Sequence, residues 1–272
     1  MDILIPKIII KTTDLGKYGL LAYIFIKANI CTNTNIVKFT LDEYFSTYGF
    51  TKISTCKTYK ESVESLQKLI DLIVDKNVNQ TFYRNKINFD VIHSSLKKEI
   101  FFYCKDKYLG SKKDEFVKCD FNNIAKIVDY SKYLLDSKIT KISYSADLIN
   151  VYCYILSRMS YRKLKNENGV EHYSNNPIYF YSYKNNILEE LNMNLIHFNK
   201  IFKMLSNDLN LIREVKFKKH MVKEKGKDAY FMNFPSFYFI ENDKLEENLK
   251  NAMSKYCKEK GIKRKTLVPN FK

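Results

Sequence analysis

The chain has 272 residues, 45% of them hydrophobic, with seven Gly and four Pro; this allows two modest domains that each bury a core, and excludes long flexible linkers. No apolar run approaches the length of a membrane span. The start, MDILIPKIIIKTTD, carries Asp2, Pro6 and no small-residue cleavage site, so a cytoplasmic protein without a leader or membrane contact is the expectation.

The first stretch, residues 1–92, predicts three helices and a hairpin. GKYGLLAYIFIKAN (Gly16 to Asn29) is a helix capped by Asp14, with a buried face of Leu20, Leu21, Ile24 and Ala28. VKFTLDEYF is a strand that turns into a helix at Thr40, where Glu43 three residues on completes a capping box. That second helix buries Leu41, Tyr44, Phe45 and Tyr48 and stops at a left-handed Gly49. A third helix spans Thr55 to Ile73. TFYR and KINFDVI then form a hairpin, the latter with the alternation of a half-buried strand.

Residues 93–142 read as a helical connection. SSLKKEIFFYCKDKYLG has a Ser cap and a Gly stop, and FNNIAKIVDYSKYLL follows as another helix. The second unit, 143–240, repeats the order of the first. Ser145 caps the helix ADLINVYCYILSRMSYRK, which buries Leu148, Ile149, Tyr152, Ile155, Leu156 and Met159. A polar insertion, LKNENGVEHYSNN, precedes a strand IYFYSY that starts at Pro177. Helix KNNILEEL, the turn NMN and a helix ending in LSNDLNLI come next. A long hairpin follows, REVKFKKHMV and KDAYFMNF joined by KEKG. Residues 241–272 hold a helix with the stripe Leu245, Leu249, Ala252, Met253 and Tyr256, and then a basic tail, IKRKTLVPNFK, that reads as mobile.

The third helices of the two units share one pattern. Tyr59, Val63, Leu66, Ile70 and Ile73 correspond to Phe198, Phe202, Leu205, Leu209 and Ile212, each set at the spacing of one helical face. Helix, strand, helix, turn, helix, hairpin is the order of a winged helix. The expected fold is therefore α+β, mostly helical, with two winged-helix domains (helix-turn-helix plus β-hairpin) in tandem.

Lys and Arg number 46 against 30 Asp and Glu, a net charge of +16 that points to a polyanionic partner, most simply nucleic acid. An AT-rich coding bias would raise Lys, but it would raise Glu as well, and the acids lag. The predicted DNA-binding residues lie on the third helices and the hairpins. In the first unit they are Ser54, Thr55, Lys57, Thr58 and Lys60, with Arg84 and Lys86 on the hairpin. In the second they are Asn194, His197, Asn199, Lys200 and Lys203, with Lys216, Lys218, Lys219, Lys223 and Lys225 on a denser basic wing. Lys donates to guanine and phosphate, Asn pairs both edges of adenine, and a basic hairpin neutralises phosphates along a minor groove. Each set also has a plain reading as a solvated helix face or a guarded hairpin edge. The 21 Tyr and 19 Phe fit core packing better than a base-stacking platform.

No enzyme chemistry is legible. The six Cys are widely spaced without a CxxC and read as reduced thiols, and the four His are scattered, so no metal site or cofactor is expected. The patterns GxxxxGK[ST], HExxH, GxSxG and HxH are all absent.

The segments IPK (Ile5 to Lys7), GKYGLLAYIFI, KFTLDEYF and the helix ending in LQKLIDLI resemble the N-terminal domain of replication initiators from low-GC Gram-positive plasmids. The second unit resembles the second head of the two-domain initiators. The resemblance implies a protein that binds repeated double-stranded sites at a plasmid or phage origin, opens adjacent AT-rich DNA and engages host replication proteins. It also implies homodimers that repress and monomers that initiate. The absent HxH pair argues against the rolling-circle class. The two recognition helices would enter successive major grooves, with sites one turn apart about 34 Å from each other along the axis. A transcriptional regulator on promoter operators, and a non-catalytic protein-interaction component, are the alternative expectations.

Overall fold

The computed structural model describes residues 2–11, 13–31, 33–75, 96–105, 116–165, 171–222, 228–240 and 244–270. The chain is an α+β protein that divides into two compact units, Met1–Cys153 and Tyr154–Lys272. The division falls inside a helix, Ser145–Arg158, which the sequence reading placed at the head of the second unit. Side-chain bonds hold most of this helix to the first unit. Asp147 pairs with Lys17, Asn150 donates to the Lys17 carbonyl, Asn123 donates to the Tyr152 hydroxyl, and Cys153 lies 3.7 Å from Cys119.

In the first unit, strand β1 (Asp2–Pro6) pairs antiparallel with β5 (Phe116–Asp120), from Asp2 opposite Asp120 to Pro6 opposite Phe116. A short helix α1 (Lys7–Lys11) leads to α2 (Gly19–Ala28), where every residue from Gly19 to Ile26 is buried. The helix is thus surrounded and has no single apolar face. Ala28, expected in the core, is exposed. Asp14 sits in a 3-10 turn (Thr13–Leu15) and does not cap α2. Gly16, at φ 69°, reverses the chain between them, and the position before the helix is Tyr18, without a side-chain cap.

Strands β2 (Ile30–Cys31), β3 (Ile36–Thr40) and β4 (Glu99–Tyr103) form an antiparallel sheet. Helix α3 (Leu41–Tyr48) starts at the expected capping box. The Glu43 amide donates to Thr40 Oγ1 at 3.2 Å and the Thr40 amide to Glu43 Oε2 at 2.7 Å. It ends at Gly49, left-handed at φ 66°, where a Cβ would stand 3.1 Å from the Leu135 side chain. Helix α4 (Lys57–Ile73) starts two residues later than expected, after Cys56. Phe25, Phe39, Tyr44, Phe45, Tyr48, Phe50 and Tyr59 form one aromatic cluster, mostly edge-to-face, between α2, β3, α3 and α4. Helix α5 (Phe121–Asp136), capped by Asp120, and α6 (Ser145–Arg158) complete the unit.

The predicted helix over 94–110 is overturned in its described part: Glu99–Tyr103 is a strand, in register with β3 from Thr40 opposite Glu99 to Ile36 opposite Tyr103. EIFFY is β-branched and aromatic, with Phe102 fully buried, and the pairing with β3 outweighs the weak local caps. The hairpin expected over 81–92, with Arg84 and Lys86, lies outside the described residues. Among the described residues, Val74 at the end of α4 bridges Cys104, and the Asp75 amide donates to the Tyr103 carbonyl at 2.8 Å.

The second unit is built on an antiparallel sheet in the order β12-β8-β11-β7-β6. Its strands are β6 (Ser160–Lys165), β7 (Glu171–Ser182), β8 (Ile212–Phe217), β11 (Ser236–Ile240) and β12 (Pro269–Asn270). Here two expectations fail. The helix expected to run through Lys163 stops at Arg158, and the expected polar insertion is the β6–β7 hairpin, with β7 starting six residues before Pro177. Pro177 faces Tyr161 where the register shifts on both sides, the kind of irregular position at which a strand tolerates proline.

Helix α7 (Lys184–Leu191), a turn at left-handed Asn192, and α8 (Leu195–Lys203) follow β7. Beyond α8 the helix widens into one π turn, Met204–Asp208, and enters β8. Between β8 and β11 a distal ribbon pairs β9 (His220–Val222) with β10 (Tyr230–Met232). Alternation along β11 covers both sheet faces. Phe237 and Phe239 pack with Tyr179, Val215 and the α9 (Leu245–Lys260) stripe of Leu249, Ala252, Met253 and Tyr256. Tyr238, between them, meets Phe180 and Phe202 at 5.7 Å.

The tail expected to be mobile is docked. Leu267 is buried, β12 pairs with β8, and the Lys218 amide donates to the Val268 carbonyl at 2.9 Å. Leu267 adds to the apolar core, and the tail supplies the partner that the edge of β8 would otherwise lack. Among the described residues no helix is long and apolar enough to cross a membrane.

Candidate nucleic-acid interface

Helix α8 carries the densest set of predicted contacts. Asn194 stands before it in extended conformation, and its Oδ1 accepts the His197 amide at 2.9 Å. This is an N-cap, so the carbonyl end of Asn194 is committed to the helix. Phe198, Ile201 and Phe202 face the core, while Asn199, Lys200 and Lys203 are exposed and His197 is half-buried. Asn199 Oδ1 accepts from Lys184 Nζ at 3.1 Å, which leaves the amide nitrogen as the group able to donate outward.

Lys184 ties three elements together. Its ammonium lies over the Phe198 ring at 5.7 Å and 4.0 Å from Glu214 of β8. Burial holds its pKa below the ordinary lysine value, against the opposing pull of Glu214. Glu214 also takes Lys216 at 3.4 Å, so the Lys216 charge is partly answered within the protein. Lys218, Lys219 and His220 are exposed where β8 gives way to the distal ribbon. Lys223 and Lys225 lie outside the described residues.

On α4 the arrangement is weaker. Ser54, Thr55, Lys57 and Lys60 are exposed, but Thr58 is half-buried and hydrogen-bonded to the Tyr18 hydroxyl. Lys57 pairs with Glu61 at 3.6 Å and Lys68 with Glu64 at 2.7 Å. The three lysines of α4 are matched by Glu61, Glu64 and Asp71, whereas α8 carries Lys200 and Lys203 and no acid. The lysines of α4 are thus answered by acids on the same helix, and those of α8 are not.

Apolar residues that the sequence reading did not single out are exposed beside these cations. Leu195 is 48% and Ile196 84% exposed at the first turn of α8; Met221 is 60% and Phe231 62% exposed on the distal ribbon. Ile196 was findable, because it falls off the stripe of Phe198, Phe202 and Leu205 that the core uses; Leu195 keeps the spacing of that stripe and is nonetheless exposed at the first turn. Among the described residues no group of three His, Cys, Asp or Glu side chains could hold a metal ion. No family model and no curated protein matches the chain.

Proposed function

We propose that the chain is a sequence-specific binder of double-stranded DNA that works without catalysis of its own, each unit being a winged helix. In this reading α8 enters a major groove. Lys200 and Lys203 contact phosphate or guanine, Asn199 donates to a base edge, and Leu195 and Ile196 meet thymine methyl groups. The hairpin β8–β11 holds the flanking backbone through Lys218 and Lys219.

One observation carries the reading: a helix with exposed lysines and aliphatics and no acid is followed in the same compact unit by strand β8 and the exposed Lys218, Lys219 and His220. The biological setting we propose is a plasmid or phage replication origin, on the resemblance described above. Host replication proteins and a second copy of the chain would be its partners.

The test is selection from a random duplex library with the purified protein, then titration of the winning duplex in rising salt. Enrichment of a directly repeated or two-part site is the expected outcome. Lys200, Lys203, Lys218 and Lys219 together give a slope of log K against log salt of about −3 to −4. Equal retention of every sequence, or a slope near zero, would overturn the proposal.

A further inference from the structure

Phe231 and Met221 are directly opposite in the β9–β10 register, so the pleat puts both on one face of the ribbon, with Tyr230, Met232 and His220 on the other. Both are more exposed than a large apolar side chain needs to be, at 62% and 60%. Among the described residues the ribbon has two strands and three residue pairs and joins no larger sheet. At its base stand exposed Lys218, Lys219 and His220, and in the described part of the ribbon only Asp228 is acidic.

An apolar cross-strand pair on one face of a two-stranded ribbon, with cations where the ribbon leaves β8, has the chemistry of side chains that enter a minor groove while lysines hold the phosphates beside them. The charge decides the occupant. An acid-poor ribbon on a chain of net charge +16 is drawn to a polyanion. The narrow minor groove of AT-rich duplex has the strongest negative potential, and its TA steps unstack most easily.

We propose that Met221 and Phe231 form a wedge that inserts from the minor groove at a pyrimidine–purine step, unstacking it and kinking the duplex. This deepens the DNA-binding reading and rests on it. It adds a deformation that neither α8 nor phosphate contacts would produce. Phe231 supplies the flat ring that replaces a lost base contact, and Met221 fills the space beside it.

The experiment uses the full chain and a short AT-rich duplex with a TA step. One adenine of the step is replaced by a fluorescent analogue that stacking quenches, and binding is followed separately by anisotropy. At saturating protein the wild type raises the fluorescence several-fold. Phe231→Ala and Met221→Ala still bind but lose most of that rise, and Phe231→Leu keeps much of it. Lys218→Ala with Lys219→Ala shifts the binding curve to higher protein concentration yet reaches the same plateau. Saturated binding with unchanged fluorescence, or a full rise with Phe231→Ala, overturns the wedge alone. Unchanged anisotropy at low salt overturns the DNA-binding reading as well. Both substituted positions are on the surface, so a folding defect does not mimic the loss, and the Leu variant controls for it.

Discussion

The Lys17 ammonium stands 2.8 Å from the Asp147 carboxylate, joining the turn before α2 to the first turn of α6 across 130 residues of chain. The Asp147 side chain is 6% exposed and that of Lys17 39%. Asn150, one turn along α6, donates to the Lys17 carbonyl at 2.9 Å, so the turn is gripped at both its side chain and its backbone. Asp147→Ala should lower stability by about 1–2 kcal/mol, a figure kept small because water screens the half-exposed Lys17. Burial alone would lower the Lys17 pKa, but Asp147 overcomes it and the pKa is raised. A raised lysine pKa means the pair's contribution is fully present below the ordinary lysine value and fades only as strongly alkaline pH passes the folded-state value. Urea midpoints of wild type and Asp147→Ala should thus differ at neutral pH and converge in strong alkali. A constant difference would remove the ion pair as its cause.

Asn194 separates helix capping from base reading. Asn194→Ala removes the bond to the His197 amide and should cost about 1 kcal/mol of stability, while Asn194→Ser should restore most of it. If the cap is the residue's main role, both variants bind the selected duplex with nearly the same affinity once folded. A loss of discrimination at one base position in Asn194→Ser would instead place the side chain in the groove.

How much of this was legible in the sequence follows from the range of the interactions. The Thr40–Glu43 box, the Gly49 stop and the stripe of α4 are decided within a few residues, and they stand where their patterns put them; the helix expected to end at Ile212 instead leaves α geometry after Lys203, and Ile212 opens β8. Glu99–Tyr103 and Ser160–Lys165 are decided by partners elsewhere. A five-residue apolar run flanked by Ser and Gly fits a buried helix as well as a strand until β3 is known to lie beside it. The polar composition of 164–176 concealed the β6–β7 pairing because a ladder is held by backbone bonds, which polar residues form as well as apolar ones. In the candidate site the cations were visible as composition. Their neutralisation on α4 was legible only as spacing, in Lys57 with Glu61 and Glu64 with Lys68.

Lysines on α8 should matter for affinity and not for folding. Lys200→Ala and Lys203→Ala should each weaken duplex binding and reduce the salt slope by about 0.9 if each contacts a phosphate. Lys60→Ala on α4 should do less, because the helix around it is electrically balanced. Equal losses from Lys60 and Lys200 would show that the two helices grip DNA alike.

Ile196 gives a test of specificity. At 84% exposed it contributes little to the core, so Ile196→Ala should change stability by less than about 0.5 kcal/mol. The same change should flatten a thymine preference at one position of the selected site, costing about 1–3 kcal/mol of discrimination at most. Repeating the library selection with the variant checks this. An identical preference profile would assign the residue to the surface only.

The C-terminal segment should be required for the hairpin rather than dispensable. Leu267 is buried among Phe237, Phe239 and the α9 stripe, so Leu267→Ala should cost about 2–5 kcal/mol. A second readout isolates the edge pairing from the loss of core. The Lys218 amide donates to the Val268 carbonyl, and Pro269 and Asn270 pair with Phe217 and Lys216. In a chain ending at residue 262 the Lys218 amide should exchange with solvent far faster than in the full chain, while amides in β11, whose partners on both sides remain, should keep nearly their usual rate at low temperature. The freed edge of β8 is also the surface on which a second chain could add a strand, so the truncated protein should aggregate at concentrations where the full chain stays monodisperse. Unchanged protection at Lys218 would mean the tail is not docked in solution, and the hairpin would then have to hold its cationic region without it.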